Sequence, residues 1–233
     1  MTGKIVIEIE KNDFAESLLT AIQRYYPIGA DFQSRESYSG YRQLLKLMDS
    51  YSDHTIENEV NKTFDSLKIA LENSIATSYP ISYNRGSIFP NRSFDITIHQ
   101  SQVEDRNMAT VLKCRISLLH KSWTLFFEDM VGTMRYGQPF LSKVISTKNM
   151  MLDENGDLFT KVKEIISTSY PDHLYIEPRF LLTEKVGKGI PYGIDEIIEY
   201  YGYYTIYDYL FHKEYHYLSL PSGALAMPVI VFS

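Results

Sequence analysis

Three short segments in the middle of the chain alternate apolar and polar residues with a period of two. The apolar positions are Phe94, Ile96 and Ile98, then Leu112, Cys114, Ile116 and Leu118, and finally Trp123, Leu125 and Phe127. Successive side chains of a β-strand point to opposite faces of the sheet, so each segment predicts a half-buried strand. We expect the three to form an antiparallel meander. Cys114 falls on the apolar face, which predicts a buried, inert thiol.

Helical spacing occurs on both sides of this meander. One apolar stripe runs through Ile56, Val60, Phe64, Leu67, Leu71 and Ile75 and ends at Tyr79-Pro80. Shorter helices are predicted from Asp13 to Pro27, over Tyr41 to Met48, and over Leu158 to Ser167 with Asp157 as the cap. Strands are predicted at Lys4 to Glu10 and Val229 to Phe232, and Leu174 to Leu182 is predicted to be extended. Together these elements predict an α+β fold, with an antiparallel sheet from the middle of the chain packed against N-terminal and C-terminal helices.

The composition limits the classes of protein to consider. The chain has 233 residues, 44% of them hydrophobic, which suits a single α+β domain over 1–233, with 80–93 as the place where a subdivision would fall. A formal net charge of −6 without a dense Lys/Arg cluster argues against nucleic acid as a partner. One cysteine, no signal-peptide pattern and no long apolar run predict a cytoplasmic protein without a membrane span.

One acidic stretch has part of the spacing of a calcium loop. Asp153, Asn155, Asp157 and Glu164 occupy ligand positions one, three, five and twelve. The sharp turn at position six needs glycine, but Leu158 stands there and the glycine is at 156. We therefore expect an Asn-Gly turn leading into a capped helix, with calcium as the weaker alternative.

The segment Gly187 to Gly193 lies between an apolar run and a predicted helix, where a phosphate-binding loop would be placed. Its third glycine comes one residue too late for a dinucleotide fingerprint. The acids at 195, 196 and 199 would also repel phosphate. We expect a connector, or a loop that closes over something else, and no cofactor.

His212 and His216 are four residues apart and would share one face if the segment were helical. The residue after His212 is lysine, whereas a zinc protease motif needs glutamate there. The pair is therefore only a weak candidate for metal binding, and we predict no metal.

Residues Tyr192 to Tyr217 contain nine of the chain's nineteen tyrosines. The pattern predicts two short helices broken near Gly202, the second starting at Thr205 with Asp208 completing a capping box. These helices carry more tyrosine than one inner face can hold, so part of it is expected at the surface. The partner-binding candidates are Glu199, Tyr200, Tyr203, Tyr204, Tyr207 and Asp208. A tyrosine-rich core is the alternative.

These observations predict a non-catalytic protein-binding protein that occupies a basic site on its partner through this acidic, tyrosine-rich surface. A toxin-neutralising, immunity-type protein is its most concrete form. The first alternative is a metal-assisted hydrolase with a dispersed site drawn from Asp153, Asp157, His212 or His216. The second is a structural subunit, which would present a large apolar patch on the tyrosine-rich face.

Overall fold

A computed structural model describes the chain in ten stretches. They are 13–29, 35–52, 59–84, 92–99, 108–135, 138–147, 156–187, 189–193, 204–215 and 230–232. The strand predicted at Lys4 to Glu10 lies outside these residues, as does the first of the two helices predicted in the tyrosine-rich segment, before Gly202.

Six helices are present in the described stretches. They are α1 (Asp13–Tyr25), α2 (Ser39–Ser52), α3 (Glu59–Ile75), α4 (Gly156–Ser169), α5 (Pro178–Thr183) and α6 (Ile206–Leu210). The helices predicted near residues 13, 41, 56, 158 and 205 are confirmed. In α3 the predicted stripe points inward, with Phe64, Leu67 and Leu71 fully buried, although Val60 near its start is 36% exposed.

The strands form a seven-stranded mixed sheet. They are β1 (Ile81–Asn84), β2 (Ser93–His99), β3 (Met108–Ser117), β4 (Ser122–Arg135), β5 (Gln138–Ser146), β6 (Leu174–Tyr175) and β7 (Ile230–Phe232). β1 to β5 pair in sequence order as an antiparallel meander, whereas β7 adds in parallel to β5 and β6 in parallel to the start of β4. The α+β prediction is therefore confirmed, as are the meander and the final strand.

The alternating apolar residues of β2, β3 and β4 make one face of the sheet, and α3 and α4 pack on it. The buried cluster on this face includes Phe94, Cys114, Trp123 and, from α4, Val162. Phe64 stacks on Phe94 with ring centroids 4.2 Å apart. The predicted burial of Cys114 is confirmed, and burial raises the pKa of its thiol.

The opposite face of the sheet is also covered. A second buried cluster brings together α1, α2, α5 and α6 around Phe126 of β4 and Ile145 of β5. Tyr26, after α1, donates a hydrogen bond to the Tyr209 carbonyl oxygen over 3.2 Å, and their rings meet edge to face at 4.9 Å. Residues 204–215, the larger described part of the tyrosine-rich segment, therefore belong to this second core.

Two local predictions need correction. Leu174 to Leu182 was expected to be extended around Pro178, but Pro178 begins α5. Proline is suited to the first helical turn because its missing N–H would have no partner within the helix there. Asp157 was expected to cap α4, but α4 begins at Gly156, so Asp157 lies inside its first turn, where a negative charge is favourable.

None of the described helices is long and apolar enough to cross a membrane.

Candidate functional site

The polar positions of the central strands form a buried layer of charges beneath the C-terminal segment 204–215. The charged layer, as we call it, consists of Asp95, Lys113, Arg115, Glu128, Lys143 and Glu214. The first five lie on β2, β3, β4 and β5, and Glu214 lies in a single 3₁₀ turn after α6. Alternation along each strand directs these side chains away from the α3 and α4 face. The three bases and three acids thus meet on the face that the C-terminal segment covers.

Glu214 is the group on which the bases converge. Its Oε1 atom contacts Nζ of Lys113 and, at 3.3 Å, Nζ of Lys143. Its Oε2 atom lies 3.3 Å from a terminal nitrogen of Arg115. Burial alone would raise the pKa of Glu214, but the three positive charges hold that pKa well below its ordinary value. Glu214 is therefore a carboxylate over the whole physiological range.

The two other acids fix the bases from within the sheet. Asp95 lies 3.3 Å from Nε of Arg115 and accepts a hydrogen bond from the Ser93 hydroxyl at 2.7 Å. Glu128 lies 3.0 Å from Nζ of Lys113 and 3.3 Å from Nζ of Lys143. A buried charge is costly unless it is paired, so this arrangement explains how five ionisable groups of the strands fit beneath a segment that contributes the sixth, Glu214.

Two tyrosines of the C-terminal segment pack against the charged layer. Tyr215 donates its hydroxyl to Glu128, and the ammonium groups of Lys113 and Lys143 lie 5.8 and 5.1 Å from the centre of its ring. Tyr207 packs edge to face on Tyr215 at 5.3 Å. Burial raises the pKa of both phenols, so both remain protonated. The site can therefore hold an anion between cations and phenols.

His212 lies at the edge of the charged layer. Its Nε2 atom is 3.9 Å from a carboxylate oxygen of Asp95, and its Nδ1 atom accepts the backbone N–H of Glu214 over 2.9 Å. Burial and the nearby charge of Arg115 lower the pKa of His212 to about 3. His212 is therefore neutral, and it acts here as a hydrogen-bond acceptor that holds the turn of Glu214.

A separate cleft of about 400 Å³ lies at the end of the sheet where β3 turns into β4. It is lined by Glu59, Val60, Thr63, Lys121 and residues 169–173. Burial lowers the pKa of His173 on the cleft wall and of its neighbour His120, so both imidazoles are neutral at pH 7. In the part of the chain that the structure describes, no group pairs with the Nδ1 atom of either ring.

The predicted partner-binding residues divide into two groups. Tyr204, Tyr207 and Asp208 are buried, with at most 1% of each side chain exposed, so the expectation that they form an exposed surface is wrong. α6 has only five residues and is enclosed on all sides, so its tyrosines pack in the core whichever way they point. Glu199, Tyr200 and Tyr203 lie outside the described residues, and their role stays a prediction.

The candidate metal ligands that lie within the described stretches are not close enough to share a metal ion. Asp157 and Glu164 stand on one continuous helix, about 10 Å apart along its axis, so they cannot serve one calcium ion. α6 ends at Leu210, so His212 is not on the helical face that the predicted histidine pair required. Asp153, Asn155 and His216 lie outside the described residues. Within the ten described stretches, no three His, Cys, Asp or Glu side chains are grouped as a metal site would need.

The Gly187 to Gly193 segment, of which all but residue 188 is described, packs against α6. A Cβ on Gly189 would lie 2.6 Å from the Tyr209 hydroxyl, and Gly193 adopts a positive φ of 77°. The carbonyl oxygen of Gly193 accepts a hydrogen bond from Nζ of Lys213 at 2.6 Å. The glycines therefore permit close backbone approach to the C-terminal segment, as a connector requires.

Sequence reasoning missed the charged layer, although a partial clue was available. Lys113 and Arg115 alternate with Leu112, Cys114 and Ile116, which is the pattern of a strand with one face in water. Here that face is buried because residues 204–215 cover it. Lys113 and Arg115 contact Glu214, which is about a hundred residues further along the sequence.

Comparison with known proteins gave no further guidance: no family model, curated protein or solved structure matches this chain.

Proposed function

We propose that this chain is a non-catalytic protein-binding protein that occupies a basic site on a partner. Acidic segments between the described stretches make the contact, and the described residues, whose formal charges cancel, form the scaffold that carries these segments. One observation supports it. Among the described residues, basic and acidic side chains are equal in number, so the formal net charge of −6 belongs to the other segments. Charge concentrated in this way steers a partner of opposite sign toward the segments that carry it.

The connection 194–203 is the strongest candidate among these segments. It contains Asp195, Glu196 and Glu199 and no basic residue, together with Tyr200, Tyr201 and Tyr203. The residues on either side of it are fixed to the scaffold. Gly193 accepts the hydrogen bond from Lys213, and the Tyr204 carbonyl oxygen accepts the N–H of Val186 at 2.8 Å.

The predicted residues then have two different roles. Glu199, Tyr200 and Tyr203 contact the partner, because tyrosine offers rigid contact area with a polar tip and the carboxylates offer charge. Tyr204, Tyr207 and Asp208 hold the second end of the connection in the core. In the most concrete form of this proposal, the partner is a toxin with a basic active surface, and the two proteins bind in the cytoplasm. Nucleic acid is not expected as a partner.

The test is affinity purification with mass spectrometry from cells that express the chain naturally, followed by a binding measurement on the recovered partner. The variant Glu199→Gln with Tyr200→Ala and Tyr203→Ala should weaken binding at least about tenfold, or roughly 1.4 kcal/mol. Raising the salt concentration should weaken the parent's binding because surface charge attraction is screened.

The matched control changes three exposed side chains of α4 with the same loss of one charge: Glu164→Gln, Thr160→Ala and Thr168→Ala. This control should bind as the parent does. Equal binding by the parent and the 199/200/203 variant, both folded, would remove this connection from the interface. A partner without a basic surface would contradict the electrostatic part of the proposal.

The hydrolase alternative cannot use Asp157 together with His212. Asp157 is on α4, which packs on the face formed by Phe94 and Ile96, whereas His212 lies beside Asp95, which points to the other face. The sheet separates them. Asp153 and His216 lie outside the described residues; among the described ones, the cleft beside His173 offers a different location for such chemistry, because a neutral imidazole is suited to general-base catalysis.

The enzymatic alternative has its own test. Hydrolysis of nitrophenyl ester and phosphate substrates by the parent, lost in His173→Gln and retained in His212→Asn, would support it. Equal rates for the parent and His173→Gln would contradict it.

A further inference from the structure

Three basic side chains from the sheet hold one carboxylate from outside the sheet. Lys113 and Lys143 share its Oε1 atom, and Arg115 approaches its Oε2 atom. Cations at both oxygens are the usual means by which proteins hold the carboxylate or phosphate group of a bound molecule. In this structure the carboxylate belongs to Glu214.

The charges of the sheet leave room for one anion. Lys113, Arg115 and Lys143 carry three positive charges, while Asp95 and Glu128 supply only two negative ones. The strands alone therefore leave a net positive charge of one at this place. Glu214 neutralises it, and a second carboxylate beside Glu214 would meet repulsion.

Glu214 is the outermost member of the group. Its side chain is 19% exposed, compared with 16% for Lys143, 10% for Lys113 and 5% for Arg115. The cations stand on paired central strands, whereas Glu214 belongs to a single 3₁₀ turn that follows α6. Apart from the ion pairs of Glu214, that turn is held by the N–H of Glu214 on His212, by the Lys213 ammonium on the Gly193 carbonyl oxygen, and by the buried Tyr215 hydroxyl on Glu128.

We propose that Lys113, Arg115 and Lys143 form an anion-binding site for the carboxylate or phosphate group of a ligand, and that Glu214 fills this site as a competing internal ligand. An external anion then binds only as Glu214 leaves, so occupancy is coupled to release of the turn 213–215. This inference does not depend on the proposed protein partner, because the site lies on the scaffold and not in the connection 194–203.

The first experiment measures anion binding calorimetrically with sodium acetate and sodium phosphate, each against sodium chloride at equal ionic strength. Glu214→Gln should bind one equivalent of acetate or phosphate at least about tenfold more tightly than the parent, because the internal competitor has lost its charge. The anion with the higher affinity identifies the class of ligand. Lys143→Met in the Glu214→Gln background should abolish binding.

The second experiment uses the unaltered protein and follows trypsin cleavage after Lys213. Saturating acetate or phosphate should accelerate this cleavage relative to chloride. Cleavage after Lys185, whose side chain is exposed and whose backbone pairs with Thr205 outside the turn 213–215, should keep its rate. If Glu214→Gln does not fold, Glu214→Asp replaces it, since the shorter carboxylate keeps the charge and reaches the cations less well.

The two experiments together either support or overturn the proposed anion-binding site. Saturable binding that depends on Lys143, with faster cleavage after Lys213 in the parent, supports the site. Equal anion responses in the parent, the Glu214 variant and the Lys143→Met double variant would overturn it. Parent cleavage that no anion accelerates would also overturn it, and Glu214 would then be only a partner in a structural ion pair.

Discussion

Tyr215 donates its phenolic hydrogen to the carboxylate of Glu128, which points from the centre of β4 into the charged layer. Both side chains are buried, and Nζ of Lys143 lies 3.3 Å from the same carboxylate and 5.1 Å from the centre of the Tyr215 ring. The end of the C-terminal segment is thereby tied to the middle of the sheet. This hydrogen bond requires a protonated phenol, and the raised pKa of Tyr215 keeps the phenol protonated.

Tyr215→Phe removes this donor while keeping the ring. Glu128 then loses one of its buried partners, and the free energy of unfolding should fall by ~1–3 kcal/mol. Urea denaturation at pH 7 measures the change. The control is Tyr83→Phe, whose half-buried hydroxyl makes only a long contact of 3.4 Å with the Lys68 carbonyl oxygen. Equal losses in the two variants would show that the Tyr215 hydroxyl has no special role.

Tyr207→Ala tests how the C-terminal tyrosines act. Tyr207 is fully buried, stacked on Phe211 at 5.5 Å and packed against Phe126 at 6.4 Å. Truncation of such a ring leaves a cavity and should cost ~3–5 kcal/mol of unfolding free energy. The proposed contact residue Tyr200, changed to alanine, should instead alter stability by less than ~0.5 kcal/mol. Comparable costs for both would mean that Tyr200 is also a core residue.

Thr205 and Asp208 close a capping box at the start of α6. Asp208 accepts hydrogen bonds from the N–H and the hydroxyl of Thr205 at 2.9 and 2.7 Å, and the Thr205 hydroxyl accepts the N–H of Asp208 at 3.2 Å. Asp208→Ala should therefore cost ~1–2 kcal/mol in urea denaturation. Asp157→Ala, an exposed acid in the first turn of α4, is the control and should cost less than ~0.5 kcal/mol. The reverse order would contradict the assignment.

The capping box shows the kind of feature that sequence alone could predict. Thr205 and Asp208 stand three residues apart, and the hydrogen bonds between them depend only on that spacing and on local backbone geometry. The same holds for the strands of the meander, where the period of two in Phe94, Ile96 and Ile98 determines the shared face. Most features encoded within one turn or one strand were predicted correctly, and the helix that begins at Pro178 and the start of α4 are the exceptions.

The burial of the charged layer by residues 204–215 could not be predicted from local spacing. Periodicity shows that Lys113 and Arg115 share a face, but Glu214, which pairs with both, is about a hundred residues further along the chain. The burial of Tyr204 and Tyr207, which were expected at the surface, could not be predicted for the same reason. A helical wheel limits how many side chains face one neighbour, whereas α6 has neighbours on every side, including Tyr26 from the chain after α1 and Phe126 from β4.

His212 should make the protein sensitive to mild acid. In the folded state its pKa is lowered from 6.5 to about 3, first by burial and then by Arg115, with Glu214 opposing and Arg92 and Lys113 reinforcing. The unfolded state binds the proton more readily, so the stability contributed by neutral His212 is complete above pH 6.5. It is lost as the pH falls toward 3, at up to ~1.4 kcal/mol per pH unit.

His212→Asn isolates this contribution, because the asparagine oxygen can accept the Glu214 N–H in place of Nδ1. Urea denaturation at intervals between pH 7 and pH 4 should show a shallower loss of stability for this variant than for the parent. Asp95, whose pKa is raised by burial despite Arg115, and Glu214, whose pKa is lowered, titrate in both proteins, so the difference in slope belongs to His212. His99→Asn, at an exposed position on β2, should leave the parent's slope unchanged. Parallel curves for the parent and His212→Asn would show that the ring is not held neutral by its surroundings.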